Sequence, residues 1–250
     1  EGEEMHVNIP GFKGGDRETI ELPSIQSRLL AELKKAGKKI VFVNFSGSAI
    51  ALTPETKTCD AILQAWYPGQ AGGTAIANVL FGDYNPAGRL PVTFYKSTNQ
   101  LPDFEDYSMK GRTYRYMTEA PLFPFGHGLS YTTFQYGNAS LNTPEIKDGE
   151  QVTLTIPVSN TGKYDGEEVV QVYLRRPGDK EGPSHALRAF KRVAITKGTT
   201  NQVTIPLSKE NFEWFDTGTN TMRPIEGEYE ILYGGTSELK QLKSIPVTIK

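Results

Sequence analysis

The sequence predicts an α/β domain followed by an all-β sandwich, and three observations carry that reading. Compact β-branched runs alternate with helix-like spacing in the first half, apolar alternation takes over after about residue 130, and many short strand-like runs then come in succession. A chain of 250 residues is long enough for two ordinary cores, which is where single cores stop growing.

Leu22, Ile25, Leu29, Leu30 and Leu33 recur at three- and four-residue steps and define one face of a helix, with Pro23 in its first turn and Gly37 at its end. The next segment, residues 39–45, is Lys-Ile-Val-Phe-Val-Asn-Phe, a compact run expected of a strand buried on both faces. The pattern repeats with residues 61–66 as a second buried strand and Ala75, Ile76, Val79 and Leu80 as a second helix face. Between them the sequence Pro68-Gly69-Gln70-Ala71-Gly72-Gly73 predicts a sharp reversal, and residues 83–88 a turn-rich exit.

Residues 84–125 are irregular and rich in Tyr and Pro. A stretch of that length without regular structure is usually functional or wraps another surface, and here it is expected to contact a domain outside this sequence. The boundary is expected between residues 130 and 131, giving units 1–130 and 131–250. In the second unit Val152, Leu154, Ile156 and Val158 point one way along a strand. Further runs at 169–174, 189–195, 203–207, 229–233 and 245–249, separated by turns, predict a sandwich of fibronectin type III or immunoglobulin type.

Composition narrows the function classes. Twenty-seven Lys and Arg against 29 Asp and Glu provide no basic excess for neutralising phosphates, so no nucleic-acid partner is expected. No run approaches the roughly 18 to 20 apolar residues of a membrane span. Cys59 is the single cysteine and the histidines stand at 6, 127 and 185, so neither a disulfide, a catalytic metal nor a cofactor is expected. The residues leave the cellular compartment open.

Several groups are candidates for chemistry. Glu1, Glu3 and Glu4 form an acidic cluster that is either a solvated tail or holds a general acid whose proton is retained by crowding or burial. Ser46 or Ser48 comes after a strand, where an elbow presents a nucleophile in some hydrolases, with His127 or His185 as base, but the glycine pattern of that elbow is missing. Residues 69–73 bring backbone amides together at a helix start yet lack the Lys-Ser/Thr of a phosphate-binding loop, so tight packing is the expected reason for their glycines. Residues 103–107 (Asp-Phe-Glu-Asp-Tyr) and 111–116 (Gly-Arg-Thr-Tyr-Arg-Tyr) mix carboxylates, guanidinium groups and rings, which suit either sugar hydroxyls and C–H faces or a domain interface.

Taken together, four blocks resemble glycoside hydrolase family 3 in order and approximate spacing. They are Gly14-Gly15-Asp16-Arg17 with Leu22-Pro23-Ser24-Ile25-Gln26, residues 65–73, the run Leu80 to Phe94, and Pro124-Phe125-Gly126-His127-Gly128-Leu129-Ser130-Tyr131. The segments 187–193 and 227–229 are similar to the fibronectin type III-like domain that ends many members. The resemblance implies the C-terminal part of the family's α/β sandwich domain and an activity of β-xylosidase or β-glucosidase type, with a periplasmic or secreted parent. It also implies a retaining mechanism, in which an Asp nucleophile on an N-terminal barrel absent from this sequence works with a Glu acid/base. By likeness to the family's Gly-Glu segment ahead of Asp-Arg, Glu3 is the acid/base candidate, with Glu1 and Glu4 as alternative registers. The implied partners are an oligosaccharide or aryl β-glycoside and that barrel, and this chain alone is expected to be inactive.

Overall fold

The computed structural model describes residues 11–13, 16–147 and 150–250. Its first half opens with a small antiparallel hairpin of β1 (Phe12–Lys13) and β2 (Asp16–Arg17), then α1 (Ser24–Lys35), β3 (Val41–Asn44), α2 (Thr53–Thr58), β4 (Ala61–Gln64) and α3 (Gly72–Phe81). β3 and β4 pair in parallel, Val41 opposite Ala61 through Asn44 opposite Gln64, with α2 on the crossover. The helix at 24–35 starts after Pro23 and ends before Gly37, which takes a positive φ of 70°. α2 has no counterpart in the periodicity: Thr-Pro-Glu-Thr-Lys-Thr carries no apolar stripe, and it is held by Pro54 in its first turn and by Ser27 Oγ donating to Glu55 Oε1 at 2.7 Å.

Burial departs from the sequence expectation here. Of the α1 face, Leu30 is buried, whereas Ile25 and Leu29 are 58% and 60% exposed and Leu33 is exposed as well. The strand at 41–44 is likewise not covered on both faces, since Val41 and the adjoining Phe45 lie open. A parallel sheet normally has helices on both faces, and among the described residues this one has two strands. Among the described residues the apolar pattern is thus present without a layer that buries it.

The wrap comes next, with a short helical turn α4 (Thr113–Tyr116). Phe94 pairs as an isolated bridge with Phe123 and makes edge contacts with Trp66 and Phe123, which ties the wrap to the end of β4. Sequence reasoning directs the wrap to a domain outside this chain. Its later part packs on the sandwich of the same chain, where Tyr114 stacks on Phe125 and meets Tyr173 edge-on.

The second half contains β5 (Phe134–Tyr136), β6 (Ser140–Leu141), β7 (Glu145–Ile146), β8 (Val152–Asn160), β9 (Gly166–Arg175), β10 (Ala186–Ile195), β11 (Thr200–Leu207), β12 (Glu213–Asp216), β13 (Thr221–Pro224), β14 (Gly227–Gly234) and β15 (Lys243–Ile249). One sheet runs β10-β9-β14-β15-β7 and the other β11-β8-β5, with β6 also on β8. β8 alternates buried and half-buried along its length, so Val152, Leu154, Ile156 and Val158 enter the core beside Val170, Val172, Leu174, Ile231 and Val247. The hairpin β12-β13 closes one end and brings Trp214 into that core. Tyr229 Oη donates to the Ile225 carbonyl at 2.8 Å, a corner of the kind that fixes strand ends in immunoglobulin-like sandwiches.

Candidate functional site

Glu1, Glu3 and Glu4, and His6 with them, lie outside the described residues. The segment from Asp16 to Glu21 is well anchored. Glu21 accepts hydrogen bonds from the Thr98 amide at 2.8 Å and the Thr98 hydroxyl at 2.6 Å, and that hydroxyl in turn accepts from the Ile20 amide. Burial opposes the charge on Glu21, but the bonds from Thr98 outweigh it and hold the carboxyl below the usual range. The chain just after Asp16-Arg17 is thereby fastened to the start of the wrap.

Of the serine candidates, Ser46 has its hydroxyl engaged in local structure. Ser46 Oγ donates to the Ser48 carbonyl and accepts from Asn44 and Gln64 side-chain amides, at 2.9 to 3.1 Å. His127 stacks on Phe123 with ring centroids 5.0 Å apart. His185 bonds to Ser184 and to the Ser237 carbonyl. Neither arrangement is a base poised on a nucleophile. At the start of α3, a Cβ on Gly72 would sit 2.4 Å from Pro68 Cβ, so close packing of the turn accounts for that glycine. Among the described residues no group of three or more His, Cys, Asp or Glu is placed to hold a metal, and no helix is long and apolar enough to cross a membrane.

The rings and arginines of residues 103–116 divide between two roles. Tyr114 stacks on Phe125 at 4.7 Å, meets Tyr173 and His185 edge-on, and accepts from the Leu187 amide at 2.9 Å. Those contacts make it the centre of the joint between wrap and sandwich. Burial among these rings depresses His185 to about 4, despite the bond to Ser237.

Residues 103–112 take the other role. Phe104, Asp106, Tyr107 and Arg112, together with Glu18, Thr98, Leu101 and Pro102, line a cleft of about 560 Å³, in which Phe104 and Tyr107 present their rings to solvent at 92% and 91% exposure. Arg112 is the brace of this loop, donating to the Ser108, Asp103 and Asp106 carbonyls at 3.0, 3.2 and 2.5 Å.

The joint also uses residues to which the sequence reading gave no role in packing. Arg89 Nη2 bonds both Glu168 oxygens at 3.1 Å, with side chains 9% and 5% exposed. Burial pushes the Glu168 carboxyl up, and Arg89 only partly reverses it. Gln171 donates to the Gly126 and Gly235 carbonyls. Gly126 has φ 76°, and a Cβ there would fall 2.0 Å from Gln171 Oε1; at Gly128 one would fall 2.2 Å from the Gly88 carbonyl. The Phe-Gly-His-Gly run is glycine-rich because backbone and side chains of both halves close on it.

An α/β layer joined by an aromatic wrap to a fibronectin-like sandwich is the class that these features define. Residues 168–237 match the model described as a fibronectin type III-like domain. Residues 1–131 match the model of the glycosyl hydrolase family 3 C-terminal domain. The chain belongs to glycoside hydrolase family 3. It is 58% identical to a xylan 1,4-β-xylosidase of Xylanibacter ruminicola, over 100% of this chain and 29% of the relative. It is 35% identical to a periplasmic β-glucosidase of Salmonella typhimurium, over 88% of this chain and 32% of the relative. Of solved structures, a β-glucosidase from Erythrobacter marinus matches with a TM-score of 0.82 at 36% identity, over 94% of this chain and 31% of that one. The chain therefore spans about a third of the length of the curated relatives it matches.

Proposed function

We propose that this chain is the C-terminal portion of a retaining, exo-acting glycoside hydrolase that releases terminal β-linked xylose or glucose. The observation that carries the proposal is the match of its first 131 residues to the family 3 C-terminal domain, within relatives named as β-xylosidase and β-glucosidase and about three times longer. Retention requires two carboxyl groups about 5 to 5.5 Å apart, one as nucleophile and one as acid and then base. In this reading an Asp on an N-terminal barrel is the nucleophile, Glu3 is the acid/base, and Glu1 or Glu4 is the alternative register.

The exposed face of Ile25, Leu29 and Leu33, with Val41 and Phe45, supports a further layer of the same protein docking on the two-stranded sheet. The division of function falls at residues 130 and 131, with 1–130 forming the active-site wall and 131–250 the buttress. Its substrates are an oligosaccharide or an aryl β-glycoside. The 250-residue chain alone should be inactive, because one carboxyl without a positioned partner supplies a small part of the rate.

The test is turnover of an aryl β-xyloside and an aryl β-glucoside by the full-length parent and by Glu3→Gln. A loss of about 10²-fold or more is expected; unchanged turnover overturns the role of Glu3. Substrates whose leaving group needs no proton should recover part of the loss. The open aromatic cleft favours a second reading, a non-catalytic carbohydrate-binding or packing module, and an inactive parent whose chain binds sugar saturably would establish it.

A further inference from the structure

We propose that Glu21 is a positioning residue for proton transfer to the leaving group: with Thr98 it holds the root of the hairpin β1-β2, from which the chain runs back to the acid/base glutamate. The proposal rests on the glycosidase reading above and is the same whichever of Glu3, Glu1 or Glu4 takes that role. The acid has to meet the glycosidic oxygen in a narrow geometry, and a displacement of about 1 Å at a reacting group can cost about 10²-fold in rate. What fixes the segment leading to the acid therefore bears on the step that needs a proton.

The hairpin is too small to place itself. Its strands, Phe12–Lys13 and Asp16–Arg17, have two residues each, and an isolated two-stranded hairpin is marginal even when longer. Phe12 pairs with Arg17 and Lys13 with Asp16, and the Glu18 amide donates to the Gly11 carbonyl at 2.8 Å, so the first strand follows wherever the second is held. The second strand is held at its root by two anchors. One is main chain: Glu21 forms a parallel bridge with Ala51, whose amide donates to the Ile20 carbonyl at 2.8 Å. A single bridge leaves a pivot. The other anchor is the Glu21 side chain, which accepts from the Thr98 amide at 2.8 Å and from the Thr98 hydroxyl at 2.6 Å. That hydroxyl is used twice, since it also accepts from the Ile20 amide at 3.0 Å. The bonds close a ring between the root and the helical turn Thr98–Gln100, which removes the rotation that the bridge allows. Burial opposes the charge on Glu21, but Thr98 holds its carboxyl below the usual range, so the clasp stays in its charged form at neutral pH, where such bonds are roughly twice as strong as neutral ones. All of these bonds are made within the described residues.

The experiment compares two substrates of the full-length parent that differ in their need for a proton. The leaving hydroxyl of xylobiose must be protonated as its bond breaks, whereas the dinitrophenolate of dinitrophenyl β-xyloside departs as the anion; cellobiose and dinitrophenyl β-glucoside replace them if glucose is the sugar released. Glu21→Gln turns a donor towards the Thr98 hydroxyl, and Thr98→Val removes that hydroxyl. In each variant kcat/KM for the disaccharide should fall about tenfold, while that for the dinitrophenyl glycoside should change by less than about twofold. Thr98→Ser, which keeps both donors, should restore the wild-type ratio. A clasp that only holds the fold together would lower kcat/KM equally for both substrates, and one without influence on the hairpin would lower neither; each of these results overturns the positioning role and leaves the glycosidase reading intact. A wild-type parent that turns over neither substrate fails that reading itself, and the positioning role falls with it.

Discussion

Arg89 and Glu168 show what a single buried pair does at the joint between the halves. Both are nearly inaccessible, and the guanidinium reaches both carboxylate oxygens. Truncating one partner strands the other in a low-dielectric site. Arg89→Met should therefore cost about 3 kcal/mol in denaturant unfolding, while Arg89→Met combined with Glu168→Leu should recover to within about 1 kcal/mol of the original. His185 adds a pH dependence of definite sign. Its folded pKa is depressed to about 4 from 6.5, so the unfolded chain takes up the proton first as pH falls. Its contribution is complete above pH 6.5 and is lost on the way down to pH 4, to a limit of about 3 kcal/mol. Thermal unfolding across that range should show a flatter slope in His185→Gln than in the original chain. Glu168 acts oppositely: its raised carboxyl makes ionisation costly to the fold as pH rises from 4.5. The His185 effect is accordingly read as a difference between variants.

At the scale of elements, α1 carries an apolar stripe that is left exposed among the described residues. Ile25, Leu29 and Leu33 keep the helix period, yet they face outward, and α1 touches α2 through polar contacts such as Ser27 to Glu55. The isolated chain should bind an apolar fluorescent dye at this face. Leu29→Glu should reduce that binding while changing the chain's own stability by no more than about 0.5 kcal/mol, as for other surface substitutions. The same substitution in the full-length parent should lower its thermal midpoint, because the further layer proposed above covers the face there. The turn at Gly126 behaves differently. A methyl group at φ 76° and 2.0 Å from Gln171 forces both a backbone penalty and a displaced buried amide, so Gly126→Ala should cost about 2 to 3 kcal/mol in the 250-residue chain.

For the whole molecule, the joint explains why β9 is buried on both faces. Val170, Val172 and Leu174 enter the core between the sheets, while Gln171 and Tyr173 are covered from outside by the wrap. A chain reduced to residues 131–250 keeps the large inter-sheet core and should fold cooperatively. It should unfold at lower denaturant than the 250-residue chain, and near-ultraviolet circular dichroism should report Tyr173 newly exposed. A single shared midpoint for the two chains would mean that the wrap contributes nothing to the sandwich.

Much of the fold is legible from residues alone because it depends on short periods. The helix at 24–35 and the long strands of the sandwich arise from spacing of 3.6 or 2 within one segment, and the strands at 41–44 and 61–64 from short continuous apolar runs. The short strands β5 to β7 and the hairpin β12-β13 escape such reading because a few residues carry no readable period. The ordered blocks around residues 80–94 and 124–131 likewise place the chain in its family. Tertiary structure decided which apolar and polar groups meet. It sent Tyr114 and Phe125 to the sandwich and left Phe104 and Tyr107 facing solvent, although all four stand in one aromatic-rich stretch. It also paired Arg89 with Glu168, 79 positions away. Periodicity records the face that a residue occupies on its own element, and contacts between distant elements are set only when those faces are packed.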